Sequence, residues 1–331
     1  MAVVATGFFD GVHLGHRQVI QTLVSSARQR GEEAIVVTFA QHPRAVLQQD
    51  ARTLRLLNSP AEKAELLRAL GVDRVETLTF DRTFAQMPAE EYIRTVLRDR
   101  LGATLLVLGY DNRLGSDCLT PDLIQPLAES LGLQVLVVPP TSTCGAESAA
   151  ASGNRSHPRL RKREGPAAEG SGKGPAQPDV SGGWLPCSDK KVEVVSSTKI
   201  RKALEEGRVE DAERMLGYAY GLRGVVVGGK QLGRTIGFPT ANLRLYDPMK
   251  LIPARGVYLT EVEVLDRHCW GMTNVGDIIE TNIFDFNEDI YGLDLSIRFR
   301  RWLRPMQPME NLDALKARLA ADEKACRELL Q

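Results

Sequence analysis

Residues 1–138 repeat one arrangement that residues 221–303 lack: a short apolar run, a turn, then a stretch with helical spacing. The runs are "AVVAT" (2–6), "AIVVTF" (34–39), "RVETLTF" (74–80), "TLLVLGY" (104–110) and "LQVLVV" (133–138). Between them, "HRQVIQTLVSSARQRG" puts Val19, Ile20, Leu23, Val24 and Ala27 on one helical face and stops at Gly31. "SPAEKAELLRALG" opens with Ser59 as N-cap, Pro60 at the first helical position and Glu62 three residues after the cap, and it ends at Gly71. Apolar runs alternating with helices require a parallel sheet covered on both faces. This half is therefore expected to be an α/β, doubly wound, nucleotide-binding fold.

The pattern then breaks. Residues 145–183 are dominated by Gly, Ala, Ser and Pro. Such a segment cannot bury enough apolar surface to offset its ordering entropy, and an insert over 145–186 is expected to be disordered. Its basic cluster "HPRLRKR" (157–163) reads as a solvated loop rather than a nucleic-acid or localisation patch, because the chain carries no net charge. From Gly221 the period becomes two. "LDLSIRFRRWL" puts Leu293, Leu295, Ile297 and Phe299 on one face and Asp294, Ser296, Arg298 and Arg300 on the other. Short antiparallel strands with a polar outer face predict a small barrel, followed by the amphipathic helix "NLDALKARLAADEKACRELL".

Other bounds are brief. A chain of 331 residues has room for about two domains. No apolar run approaches the ~20 residues of a membrane span, and no basic segment precedes Asp10 as a signal peptide would need. The five cysteines are scattered and never CxxC. This argues against a disulfide framework or a zinc site and fits a reducing cytoplasm.

The chemistry concentrates in "TGFFDGVHLGHRQ" (6–18), where the first strand gives way to the first helix. Free N–H groups and the helix dipole at such a junction favour an anion, usually a phosphate. His13 and His16, three apart on the first turn, share a face and can donate to the same phosphate oxygens. Glycines at 7, 11 and 15 let a nucleotide lie close. The set suits a reaction in which charge builds on a triphosphate and is met by preorganised donors.

HxGH after a first strand resembles the nucleotidyltransferases that move AMP or CMP onto a phosphate. "GFFDGVHLGHR", "TFAQHP" (38–43), "VSSTKIRKALEEG" (195–207) and "GRTIGFPTAN" (233–242) together resemble the bifunctional riboflavin kinase/FAD synthetase family of bacteria. The resemblance covers nearly the whole chain outside the insert. It implies an FMN adenylyltransferase domain over 1–217, interrupted at 145–186, and a riboflavin kinase barrel over 218–331. By this resemblance His13 and His16 hold the ATP phosphates while the phosphate of FMN attacks the α-phosphorus. Gly7, Phe9, Asp10, Gly15, Ser196, Ser197, Thr198 and Arg201 complete the nucleotide site. "SSTKIR" reads equally as a helix N-cap, and the two roles are compatible because both use the free N–H groups of a helix start. His42 either lines the flavin or nucleotide pocket or faces solvent in the turn before Pro43. Asp111 and Asn112 occupy the family's flavin-site pattern GxDFxFG, here "GYDNRLG", with Asn112 and Leu114 replacing aromatics.

In the barrel, the resemblance gives Gly233, Arg234 and Gly237 to the ATP phosphates and Thr240 and Asn242 to Mg²⁺. Glu280 accepts the proton of the riboflavin 5′-hydroxyl. Two departures stand out. Gly276 is followed almost at once by "DIIE", without the family's longer "RPT" segment, and the histidine two residues past the glutamate is Asn282. Weak riboflavin binding, and a Glu280 drawn away from the hydroxyl, are the expected consequences. The implied activity converts riboflavin to FMN and FMN to FAD, with ATP and Mg²⁺ in both steps and pyrophosphate released in the second. The alternatives are a single retained activity or a degenerate flavin- or nucleotide-binding protein. Expected partners are riboflavin, FMN and ATP, with no nucleic acid and no membrane; a homo-oligomer stays open.

Overall fold

A computed structural model describes residues 1–42, 46, 54–141, 194–229 and 232–331. The disorder expected for 145–186 lies outside the described residues. β1 (Ala2–Thr6), β2 (Glu33–Phe39), β3 (Arg74–Leu78), β4 (Ala103–Gly109) and β5 (Gln134–Val138) form one parallel sheet in the order β3-β2-β1-β4-β5. Every residue of β1 is buried, as a central strand covered on both faces must be. The chain reverses its direction of winding at β1, which places a ligand crevice at the carboxyl ends of β1 and β4.

α1 (Leu14–Arg30) covers one face with Val19, Ile20, Leu23 and Ala27 buried, and Gly31 ends it at φ 65°. Val24 is only half-buried. α2 (Pro60–Ala69) starts with the complete capping box: Ser59 Oγ accepts from Glu62 N at 3.2 Å, and Glu62 Oε2 accepts from Ser59 N at 2.9 Å. Such a cap contributes about 1 kcal/mol. Helical segments Ala89–Glu91 and Tyr92–Arg100, with α3 (Pro121–Ser130), cover the opposite face through Ile93, Leu97, Ile124 and Ala128. The sheet is thus covered on both sides, as the alternation requires.

After Val194 come α4 (Ser197–Glu205) and α5 (Val209–Leu216), then six barrel strands. These are β6 (Gly221–Val227), β7 (Ala241–Leu245), β8 (Gly256–Val264), β9 (Arg267–Val275), β10 (Ile279–Ile283) and β11 (Asp294–Pro305). They close in the order β10-β7-β6-β11-β8-β9, and α6 (Leu312–Leu329) follows. Leu295, Ile297 and Phe299 point inward as their spacing predicts. Leu293 does not, and the expectation is corrected there. It precedes β11 and is 37% exposed, because its amide closes a turn onto Ile290 O at 3.1 Å.

One apolar core runs from the helices into the barrel. Ile200, Leu204 and Leu216 pack in the same cluster as Leu222, Ile297 and Phe299. The short connection after Gly276 closes as a tight hairpin, with Gly276 N donating to Ile278 O at 3.2 Å and Ile279 opposite Val275. Glu280 lies in the ladder with Asn274 facing it on β9 and Asn242 on β7.

Candidate active sites

Beyond β1 the chain makes a turn whose backbone is left-handed at Phe9 (φ 54°), Gly11 (φ 83°) and Val12 (φ 37°). A Cβ on Gly11 would lie 2.7 Å from Leu57 Cδ1, so the position admits only glycine. Phe9 and Val12 hold strained conformations of about 1–3 kcal/mol each, which persist only where the surroundings fix them. Asp10 does most of that fixing. Its Oδ1 accepts from the amides of Leu57 (3.0 Å) and Asn58 (3.3 Å), and its Oδ2 is ion-paired with Arg201. Burial pushes the Asp10 carboxyl up, opposed by the Arg201 charge. Ser197 Oγ donates to Asp10 O at 2.9 Å, and Tyr218 Oη donates to Gly11 O at 2.8 Å.

His13 is the N-cap of α1, its Nδ1 accepting the His16 amide at 3.3 Å. A neutral imidazole that accepts at Nδ1 carries its proton on Nε2. The two rings stack with centroids 3.6 Å apart and 15° between planes, and a Cβ on Gly15 would sit 3.3 Å from the His13 ring. Burial pushes His13 down to about 4 and His16 well below the usual histidine range. Both rings are therefore neutral N–H donors near pH 7. His16 Nδ1 is buried with no hydrogen-bond partner.

The fold brings every first-domain residue that the resemblance assigns to the site to one cavity of about 380 Å³; Gly11, expected to let a nucleotide lie close, does not line it, because it faces Leu57 and Leu216 instead. The turn contributes Gly7, Phe9, Asp10, His13, Gly15 and His16. His42, Asp111 and Asn112 form another part, and Ser196, Ser197, Thr198 and Arg201 close it from α4. His42 packs on Phe8 with centroids 4.4 Å apart. Asn112 Nδ2 donates to Thr6 O at 2.8 Å and so braces the ends of β1 and β4, while Asp111 is exposed. Ser196 caps α4 by accepting from Lys199 N at 3.4 Å. Sequence reasoning missed Lys63, which is buried on α2. Its signal was a lysine four residues before buried Leu67, on the helix's core-facing side.

In the barrel, a Cβ on Gly233 would strike Phe238 O, so the glycine loop folds tightly back on itself, and Gly237 takes φ +86°. Arg234 lies outside the described side chains. Asn242 and Glu280 face each other across β7 and β10. With its amide turned to satisfy both groups, Asn242 donates to Glu280 Oε1 at 3.2 Å and accepts from Gly229 N at 3.3 Å. Asn282 Nδ2 donates to Pro239 O at 2.8 Å, tying the end of the loop to β10. On the other side of this ladder lies a cavity of about 270 Å³, lined by Thr240, Ala241, Thr281 and the 286–291 segment. Among the described residues no cluster of three His, Cys, Asp or Glu side chains could hold a metal by itself.

The FAD synthetase family model matches residues 1–151, and the riboflavin kinase model matches residues 216–330. The bifunctional riboflavin kinase/FMN adenylyltransferase of Listeria monocytogenes is 30% identical, covering 98% of this chain and 91% of its own. The chain belongs to this bifunctional family. Its Escherichia coli K12 relative of the same description is 31% identical, covering 98% of this chain and 92% of that one. A crystal structure titled as a macrolide-efflux protein from Streptococcus pneumoniae shares the family's architecture here. It has a TM-score of 0.79 and 30% identity, over 98% of this chain and 93% of that one. Among the described residues no helix is long and apolar enough to cross a membrane.

Proposed function

We propose that the first-domain cavity transfers AMP from ATP to FMN and that the barrel phosphorylates riboflavin. The observation that carries the first half is the convergence of two helix starts on one cavity. The neutral His13 and His16 imidazoles stand at the start of α1, and Ser196, Ser197 and Thr198 at the start of α4. Both ends present N–H donors to an anion. An oxygen of the FMN phosphate attacks the α-phosphorus, the bond to the β-phosphate bridging oxygen breaks, and pyrophosphate leaves. His13 Nε2–H donates to the phosphate oxygens as charge builds. Asp10 serves as an anchor, since its carboxylate is engaged by Arg201 and two amides. Asn112, bonded to Thr6 O, acts as a brace beside the flavin.

In the barrel, the glycine loop and Thr240 lead into the 270 Å³ cavity, where Phe286, Ile290 and Tyr291 offer apolar walls to a flat base. The base of ATP lies against these walls, and its phosphates pass the glycine loop to the face of the ladder that carries Asn242 and Glu280, where the riboflavin hydroxyl meets them. Glu280 accepts the proton of the 5′-hydroxyl as its oxygen attacks the γ-phosphorus and ADP leaves. Mg²⁺ would be held by Thr240 and Asn242 with the phosphate oxygens. The fit rests on donor chemistry: the Thr240 hydroxyl and the Asn242 amide oxygen, which here accepts from Gly229 N at 3.3 Å, are neutral hard oxygens of the kind Mg²⁺ takes. Bound there it would neutralise phosphate charge. We place the enzyme in the cytoplasm, consistent with the free thiols of Cys118, Cys269 and Cys326. The test is to incubate the purified protein with riboflavin, ATP and Mg²⁺ and resolve the flavins. FMN followed by FAD is expected; FMN alone, FAD only from supplied FMN, or neither product would contradict one or both halves.

A further inference from the structure

Lys63 is 3% exposed, on the face of α2 that packs on the sheet. Its Nζ donates to Phe8 O at 2.9 Å and to Phe39 O at 3.3 Å, and it lies 4.0 Å from the centre of the Phe8 ring. Thr38 Oγ1 donates to the same Phe8 carbonyl at 3.1 Å. A leucine or methionine would cover this sheet without the several kcal/mol of desolvation that a buried ammonium carries. The lysine therefore needs a chemical reason.

The charges around it supply one. Asp10, on the turn, is ion-paired with Arg201 of α4. His13 and His16 are kept neutral by burial, and His42 packs on the same Phe8 ring. Glu62, next on α2, is engaged by Ser59 N and by Lys250 of the barrel. Among the described residues no carboxylate bonds to Lys63, so one positive charge stands in excess directly behind the phosphate turn. Neutral imidazoles can donate hydrogen bonds there but bring no charge. A polyanion on the turn is the partner this charge lacks.

We propose that Lys63 is a positioning residue for adenylyl transfer: its buried ammonium fixes the 7–13 turn through the Phe8 carbonyl and supplies the positive charge that draws the triphosphate onto it. The proposal rests on reading the first cavity as the adenylyl-transfer site. Burial pushes the ammonium down to about 8, with Asp10 opposing, so its proton is lost within an accessible alkaline range.

Two experiments on the full-length protein test this. Lys63→Met should lower FAD formation from FMN by about 10²-fold, the scale of a displaced reacting group, with riboflavin phosphorylation unchanged. The wild type should lose kcat/KM for ATP as pH rises through about 8. Lys63→Arg, always charged, should lack that limb even if its rate is lower. The second experiment needs no variant. In protein carrying ¹³C-labelled lysine, saturating ATP should raise the pH at which Lys63 deprotonates, because anion and ammonium stabilise each other reciprocally. If Lys63→Met loses both activities through misfolding, this titration decides. A Lys63→Met rate within a few-fold of wild type, an unchanged alkaline limb in Lys63→Arg, or no effect of ATP on the titration would overturn the proposal. Loss of the family activity in the wild type itself would instead refute the reading of the cavity.

Discussion

The first-domain cavity draws its side chains from the 7–16 turn, His42, the 109–113 loop and the start of α4, whereas the site proposed for the barrel takes Asn242 and Glu280 from facing positions of two neighbouring strands. The former is assembled over nearly 200 residues of sequence by bonds to one strained turn. In the latter, backbone register alone sets the distance between the acid and its neighbour. The difference teaches where each is vulnerable. Substitutions in the first site should propagate through Asp10 and the turn, while those in the second should stay local to the ladder.

The largest expected effect tests that locality. Glu280→Gln keeps the side chain's size and removes the proton acceptor, so riboflavin phosphorylation should fall by about 10²–10⁴-fold in steady-state assays. FAD formation from supplied FMN should be unchanged. Next, His13→Ala or His16→Ala should lower FAD formation by about 10²–10³-fold and leave phosphorylation near wild type. Wild-type rates of FAD formation in both would remove the imidazole pair from the chemistry.

A smaller effect separates the sites by pH. His13 is held at about 4 when folded, below its ordinary 6.5. The unfolded chain therefore binds a proton between those values that the folded chain does not. Stability contributed by this group is present above pH 6.5 and is lost as pH falls toward 4, by on the order of 3 kcal/mol. Urea denaturation of the wild type should show this slope. His13→Asn, which keeps an N-cap acceptor, should lessen that slope by the His13 share and leave the part due to buried His16.

The smallest effect concerns the insert. Val195 N donates to Thr141 O at 3.2 Å, so the two ends of the intervening chain meet at the edge of the first cavity. Replacing 145–186 by a short Gly/Ser linker should leave both rates within a few-fold, measured side by side. A large loss of adenylyl transfer in a folded protein would assign the insert a part in the site.

Much of this was legible because the relevant signals are local. Ser59, Pro60 and Glu62 announce the start of α2, and the period-two run through Leu295, Ile297 and Phe299 announces a barrel strand. Leu293 was misread because alternation alone does not say where a strand begins, and the turn onto Ile290 took it. The parts of Asp10 and Asn112 were obscure for another reason. Both bond to backbone far along the chain, at Leu57 and Thr6, and pairings of that range leave no periodic trace. What the short connection after Gly276 does to riboflavin binding could not be read from composition, because it depends on strand register, which sets Glu280 opposite Asn274 and Asn242.

The central claim is that one chain carries two chemically separate sites, and mixing two variants tests it most directly. Glu280→Gln alone, given riboflavin, ATP and Mg²⁺, should form no flavin nucleotide, and His13→Ala alone should stop at FMN. Mixed in one tube, the first variant should adenylylate the FMN released by the second, and FAD should accumulate from riboflavin. If either variant loses both activities, or the mixture yields no FAD while each partner reaction runs separately, two independent sites sharing a diffusible intermediate are contradicted.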